Sequence, residues 1–312
     1  MHRHRFGARW TFFAIAGATA ATVMGCTSED SLLDEGGYQP KALPALVGAP
    51  LTTELTMVPV KARLAEADPR KPTVPENLVA LLDEGFGEIA EGPGEAHVAR
   101  TLDGSKPLAA GPNAKRLVRF AHLADFQIAD DESPARLVKF DAPTTTDGAF
   151  RAHEAYACHL VNALVRTVNR VHDDDPIDFV VLGGDNADNA QSNEADWVLD
   201  LLDGTPRVEC DSGVDDDPTL GPDNDPKDPL VAIGLQMPWY WVTGNHDVLR
   251  QGNFATTSEV VALSIGTTAP GGARDWSQPG GPVTDEVIAD EKRRILTASE
   301  LYARVAADGD GH

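Results

Sequence analysis

Residues 177–188 read IDFVVLGGDNAD. The first six are β-branched, aromatic or aliphatic apart from one Asp, the composition of a strand. Gly183 and Gly184 then end the run, and Asp185 follows at once. Glycines at this point let the backbone turn sharply and bring the next side chain close to whatever the turn surrounds. A strand that stops on glycine and carboxylate raises the question of what else in the chain ends the same way.

Two other stretches do. Residues 117–124 (LVRFAHLA) form a compact apolar run that stops at Asp125-Phe126-Gln127. Residues 239–242 (WYWV) form another, followed by Thr243-Gly244-Asn245-His246-Asp247. Helical periodicity lies between and after them. The spacing predicts a helix over 147–172, with Leu160, Leu164 and Val168 on one stripe and Val161 and Val165 beside it, broken by Asp173-Asp174-Asp175-Pro176. A second is predicted over 190–203, burying Trp197, Val198, Leu201 and Leu202, and a third over 285–307 with Ile288, Ile295 and Leu301 apolar. Strand, helix, strand, helix, strand implies an α/β fold with a parallel sheet and right-handed crossovers. In such sheets the loops after the strands gather at one edge, where ligands bind. Asp125, Asp185 and Asn245 are therefore expected to meet.

Carboxylates and an amide oxygen are hard ligands suited to divalent ions. Two carboxylates facing one cavity repel each other unless cations sit between them. A carboxylate between two ions, roughly 3.5–4 Å apart, is the arrangement of two-metal hydrolysis. A histidine beside them can protonate a leaving oxygen.

HLADFQ, GGDNAD and GNHD, in this order and each after an expected strand, resemble the first three motifs of the calcineurin-like metallophosphoesterases, D-x-H, G-D-x-x-D and G-N-H-D/E. The likeness spans about residues 116–250. It implies an α/β sandwich and hydrolysis of a phosphate ester with two divalent metal ions, Mn, Fe or Zn. Residue by residue, it implies Asp125 on the first metal, Asp185 bridging both, Asn245 on the second, and His246 as the catalytic histidine, with Asp188 and Asp247 supporting from behind. Gln127 stands where the family usually has His; the stretch DFQIADDESPAR is similar to a bacterial subgroup with D-x-Q in that place. As a ligand through its amide oxygen, Gln127 would favour Mn or Fe over Zn; the alternative is a water in that place. The family's later motifs, a lone His and G-H-x-H, have no counterpart: beyond Asn245 the histidines are His246 and His312. The expectation is a domain over 116–312 carrying only the N-terminal part of the sandwich, with a non-catalytic chain that binds metal or phosphate weakly as the alternative.

The remaining sequence sets the surroundings. The chain has 312 residues and a formal charge of -23, from 26 basic and 49 acidic residues. That excess argues against a nucleic-acid partner, which is bound through clustered Lys and Arg; a small phosphate ester must be drawn in locally. Residues 1–26 read as an export signal: Arg3, Arg5 and Arg9, a short apolar stretch to Val23, then Met24-Gly25-Cys26. The last resembles a bacterial lipoprotein cleavage site, with Cys26 lipidated, and implies anchoring at the cell envelope. Residues 27–115 are Pro-, Gly- and Ala-rich and read as a tether and wrap, with a short helix starting near Pro75. Cys158 and Cys210 can pair in an exported protein or remain as two inert thiols. His122 is expected to be a packed core histidine, since its spacing from Asp125 points it to the opposite face. The acidic loop 208–229 is expected to be solvated.

Overall fold

The computed structural model describes residues 40–308 except 66, 72, 73, 110, 142–147, 152 and 214–225. The export signal with Cys26, and His312, lie outside the described residues. In chain order the elements are β1 (Leu55–Pro59), α1 (Pro75–Asp83), β2 (Ile89–Pro93), β3 (Phe120–Leu123), α2 (Ala157–Asp174), β4 (Phe179–Leu182), α3 (Ser192–Asp203), β5 (Thr205–Val208), β6 (Leu230–Ala232), β7 (Trp239–Trp241), α4 (Ser258–Ser264), β8 (Thr268–Arg274), β9 (Val283–Glu286) and α5 (Ala298–Ala307). No described helix is long and apolar enough to cross a membrane.

The strands expected from the three apolar runs make one parallel sheet in the order β3-β4-β7. Alternation along IDFVVL divides it into two faces. Val180 and Leu182 turn inward with Trp239, onto Val161, Val165 and Val168 of α2 and Trp197, Val198, Leu201 and Leu202 of α3. Phe120, Phe179 and Tyr240 turn the other way. Phe120 and Phe179 stack with centroids 5.4 Å apart, and Tyr240 meets Phe179 edge-on at 5.6 Å. His122 belongs to this outer face and is exposed, so it is not the packed core histidine expected from its spacing. The spacing argument chose the right face; that face is open rather than covered.

Two helices differ from expectation. α2 begins at Ala157, ten residues late, because Arg151 and Glu154 turn inward to pair with buried partners before the helix starts. Its buried stripe is Val161, Val165 and Val168, while Leu160 is 54% exposed. α5 begins at Ala298, where Thr297 and Glu300 form a reciprocal cap. Residues 283–286 instead pair with β8 as a hairpin strand, and Ile288 is exposed. The antiparallel pairs β1/β2, β5/β6 and β8/β9 have no counterpart in the expected elements.

Cys158 and Cys210 are joined by a disulfide that ties the start of α2 to the segment after β5. The acidic loop is not simply solvated at its described ends. Lys227 is 4% exposed, with Asp131 at 2.8 Å, Glu132 at 3.6 Å and Asp211 at 3.8 Å. Buried carboxylates need such a partner, since desolvation otherwise drives them to take up a proton.

Candidate active site

The loops after the three parallel strands are laced together by their backbones. Asp125 N donates to Gly184 O at 3.0 Å, Gln127 N to Asp185 O at 2.8 Å and Ile128 N to Asn186 O at 3.0 Å. The third loop is fastened through Asp247. One of its carboxylate oxygens accepts from Asn186 N and Ala187 N, both at 2.9 Å, and the other from Gly244 N at 2.8 Å. Asp247 therefore neither orients an imidazole nor faces solvent. It is 1% exposed and holds two loops in register.

Strain gathers at the same place. Asp125, Gln127 and Asp185 have φ of 60°, 44° and 54°, the left-handed region that costs non-glycine residues of order 1–3 kcal/mol each. Close glycines complete the geometry. A Cβ on Gly244 would lie 2.1 Å from Asp185 Oδ1. One on Gly252 would lie 2.4 Å from Asn245 Nδ2 and 2.3 Å from His246 Cδ2. His246 N donates to Asp185 Oδ1 at 2.9 Å. Asp185, Asn245 and His246 thus share one small neighbourhood, and the backbone of Asp125 lies alongside that of Gly184.

His246 is held by Asp188. Its Nδ1 stands 2.9 Å from Asp188 Oδ1 and 3.1 Å from the Asp188 carbonyl oxygen. Partial burial pushes the imidazole pKa down, but the bond and charge of Asp188 outweigh this and raise it. Asp188 has no exposed surface and also accepts from Arg136 Nη1 and, at 2.5 Å, from Arg151 Nη2. Burial alone would raise the carboxyl pKa; Arg136, His246 and Arg151 together hold it well below the usual range. Glu154, 2.5 Å from Arg136, closes the buried cluster, and there burial dominates and raises its pKa.

The family model for calcineurin-like phosphoesterases matches residues 118–298. The chain belongs to this family. No curated protein and no solved structure matches it. Membership carries metal-dependent phosphoester hydrolysis in general, and a fit for divalent cations can be tested on this phosphoesterase's own donors.

Among the described residues, no group of three His, Cys, Asp and Glu side chains is gathered to hold a metal ion. The donors expected from the sequence are two carboxylates and an amide, on loops whose backbones are joined. Among the described residues the Asp125 carboxylate accepts no hydrogen bond, and Asp185 accepts only from His246 N. Asn245 donates through Nδ2 to Gly252 O at 2.9 Å, which leaves its Oδ1 to coordinate. This all-oxygen set fits a hard divalent cation. Gln127 fits less well, since its Oε1 accepts from Arg151 Nη1. A guanidinium in that place repels a cation and attracts an anion.

Sequence reasoning passed over Arg136, Arg151 and Arg250. Arg136 lies in DFQIADDESPAR, where residues 128–136 are all buried. A charged run flanked by apolar residues was the available signal, and its partners lie far along the chain.

Proposed function

We propose that this phosphoesterase hydrolyses a small phosphate ester with Asp125, Asp185 and Asn245 holding two divalent cations and His246 acting at the leaving oxygen. The observation that carries the reading is the Asp188–His246 pair set beside Asp185. Divalent cations supply Lewis acidity, which polarises the phosphoryl group and makes water more acidic. Asp185, at the end of the central strand, would help to hold them together with Asp125 and Asn245 from the strands on either side. Asp188 fixes the ring of His246 through Nδ1, so Nε2 is the nitrogen that serves the leaving oxygen. Arg151, beside Gln127, is placed to attract a phosphoryl oxygen.

The disulfide supports the proposed export, because such bonds persist in oxidising compartments. Lipidation at Cys26 is tested by mass spectrometry of the mature N-terminus. The activity is tested with bis-p-nitrophenyl phosphate and added Mn, comparing native protein with Asp185→Asn. Turnover by native protein alone supports the proposal. Equal rates remove it, and Mn binding without turnover favours the non-catalytic alternative.

A further inference from the structure

A cavity of about 930 Å³ opens beside His246 and Gln127. Its volume falls in the range of sites that enclose a whole small molecule, roughly 300–1,000 Å³. Beyond the polar end, its walls are apolar: Leu137, Phe140, Phe254 and Val260. Phe254 is 50% exposed, so its ring is open to a ligand, and Phe140 lines the same wall. None of the described lining residues is acidic, although the chain carries 49 Asp and Glu.

The cavity's charge is also incompletely neutralised. Arg151 is paired with Asp188 and Glu154. Arg250 is held differently. Its guanidinium donates to the carbonyl oxygens of Ala135 and Arg136, and no carboxylate among the described residues forms an ion pair with it. Burial, together with the nearby charge of Arg136, lowers its pKa. A half-buried cation held only by backbone carbonyls is stabilised by an incoming anion.

Resting on the phosphoesterase reading, we propose that the substrate is a phosphate ester of a bulky apolar alcohol. Its organic group lies between Phe140, Phe254 and Val260, and its phosphoryl group is drawn to the mouth by Arg250. Phe140 and Phe254 are then specificity-determining residues, and Arg250 a binding residue for the anion. A short polar ester would leave the Phe254 ring facing water and gain nothing from either wall.

Binding and turnover are measured separately. Calorimetry on Mn-loaded native protein compares methylphosphonate with 1-naphthylmethylphosphonate, neither of which can be hydrolysed at the P–C bond. The naphthyl compound is expected to bind at least about 10-fold more tightly. Phe254→Ala, at an exposed side chain, should remove most of that preference while methylphosphonate affinity stays. Arg250→Met should weaken both compounds; Arg250→Lys, which keeps the charge, should weaken them less and guards against misfolding of the first variant. Equal binding of the two phosphonates, or a preference that survives Phe140→Ala and Phe254→Ala together, overturns the proposal. Hydrolysis of p-nitrophenyl esters without this preference sinks the cavity assignment and leaves the activity standing. The preference without hydrolysis supports the cavity assignment and removes the activity.

Discussion

Asp188 Oδ1 stands 2.9 Å from His246 Nδ1, while Oδ2 of the same carboxylate accepts from the fully buried Arg136. One side chain therefore sets the ring that faces the candidate cation site and neutralises a cation in the interior. The site and the core are joined through a single carboxylate, and changing it should be felt in both.

Asp188→Asn is expected to lower kcat by about 100-fold, the loss typical of a misplaced acid–base group. It should also cost about 3–5 kcal/mol of stability, because Arg136 is left buried with a weakened partner. Steady-state kinetics and urea unfolding of the same preparation measure the two effects. An unchanged kcat would show that His246 does not depend on Asp188.

Gly252→Ala places a methyl group within 2.4 Å of both Asn245 and His246, at a residue whose φ is +66°. Strain and displacement both act against the site. Metal affinity and turnover are expected to fall together by at least about 10-fold, for a stability loss of roughly 1–3 kcal/mol. Metal stoichiometry after dialysis, read beside the circular dichroism, separates this from unfolding. Full metal content with normal turnover would contradict the shared neighbourhood of Asn245 and His246.

The disulfide closes a loop across a separation of 52 residues. The chain-entropy relation gives a contribution of about 4 kcal/mol for a loop of this size. Urea midpoints with and without reductant, and for Cys158→Ser with Cys210→Ser, should shift downward accordingly. Coincident curves would mean that the bridge adds no stability.

Acid should unfold the protein partly through Asp131. Burial pushes its carboxyl pKa up, but Lys227 and Arg274 outweigh burial and hold it below the ordinary value. A depressed folded pKa contributes stability that is present above the unfolded value, about 4, and is lost as pH falls through the folded one. The contribution of Asp131 should thus be level down to about pH 5 and decline below about pH 4. Asp131→Asn should flatten part of that decline and cost about 3 kcal/mol at neutral pH by removing the nearest of the carboxylates around the buried Lys227. Urea titrations between pH 3 and 7 check both, and an unchanged slope would assign the acid response elsewhere.

The parallel sheet and its site-bearing edge were legible because they follow from local patterns. Alternation in IDFVVL, the glycines before Asp185 and Asn245, and the apolar stripe in α3 need no knowledge of distant residues. Residues 285 and 286 fall inside the helix expected over 285–307, because three spaced apolar residues imitate a helical stripe, and only pairing with β8 makes them strand. Leu160 looked like core for the same reason.

The sequence by itself determined the three parallel strands and the helices between them, and that Asp125, Asp185 and Asn245 follow strand ends, because periodicity and turn chemistry act between near neighbours. Tertiary structure alone decided that Asp247 ties two loops, that Asp188 reaches His246, and that Arg136 lies beneath both. Those choices depend on desolvation. A charge separated from its partner by about fifty residues, as Arg136 is from Asp188, acquires a defined role only when folding removes water from both.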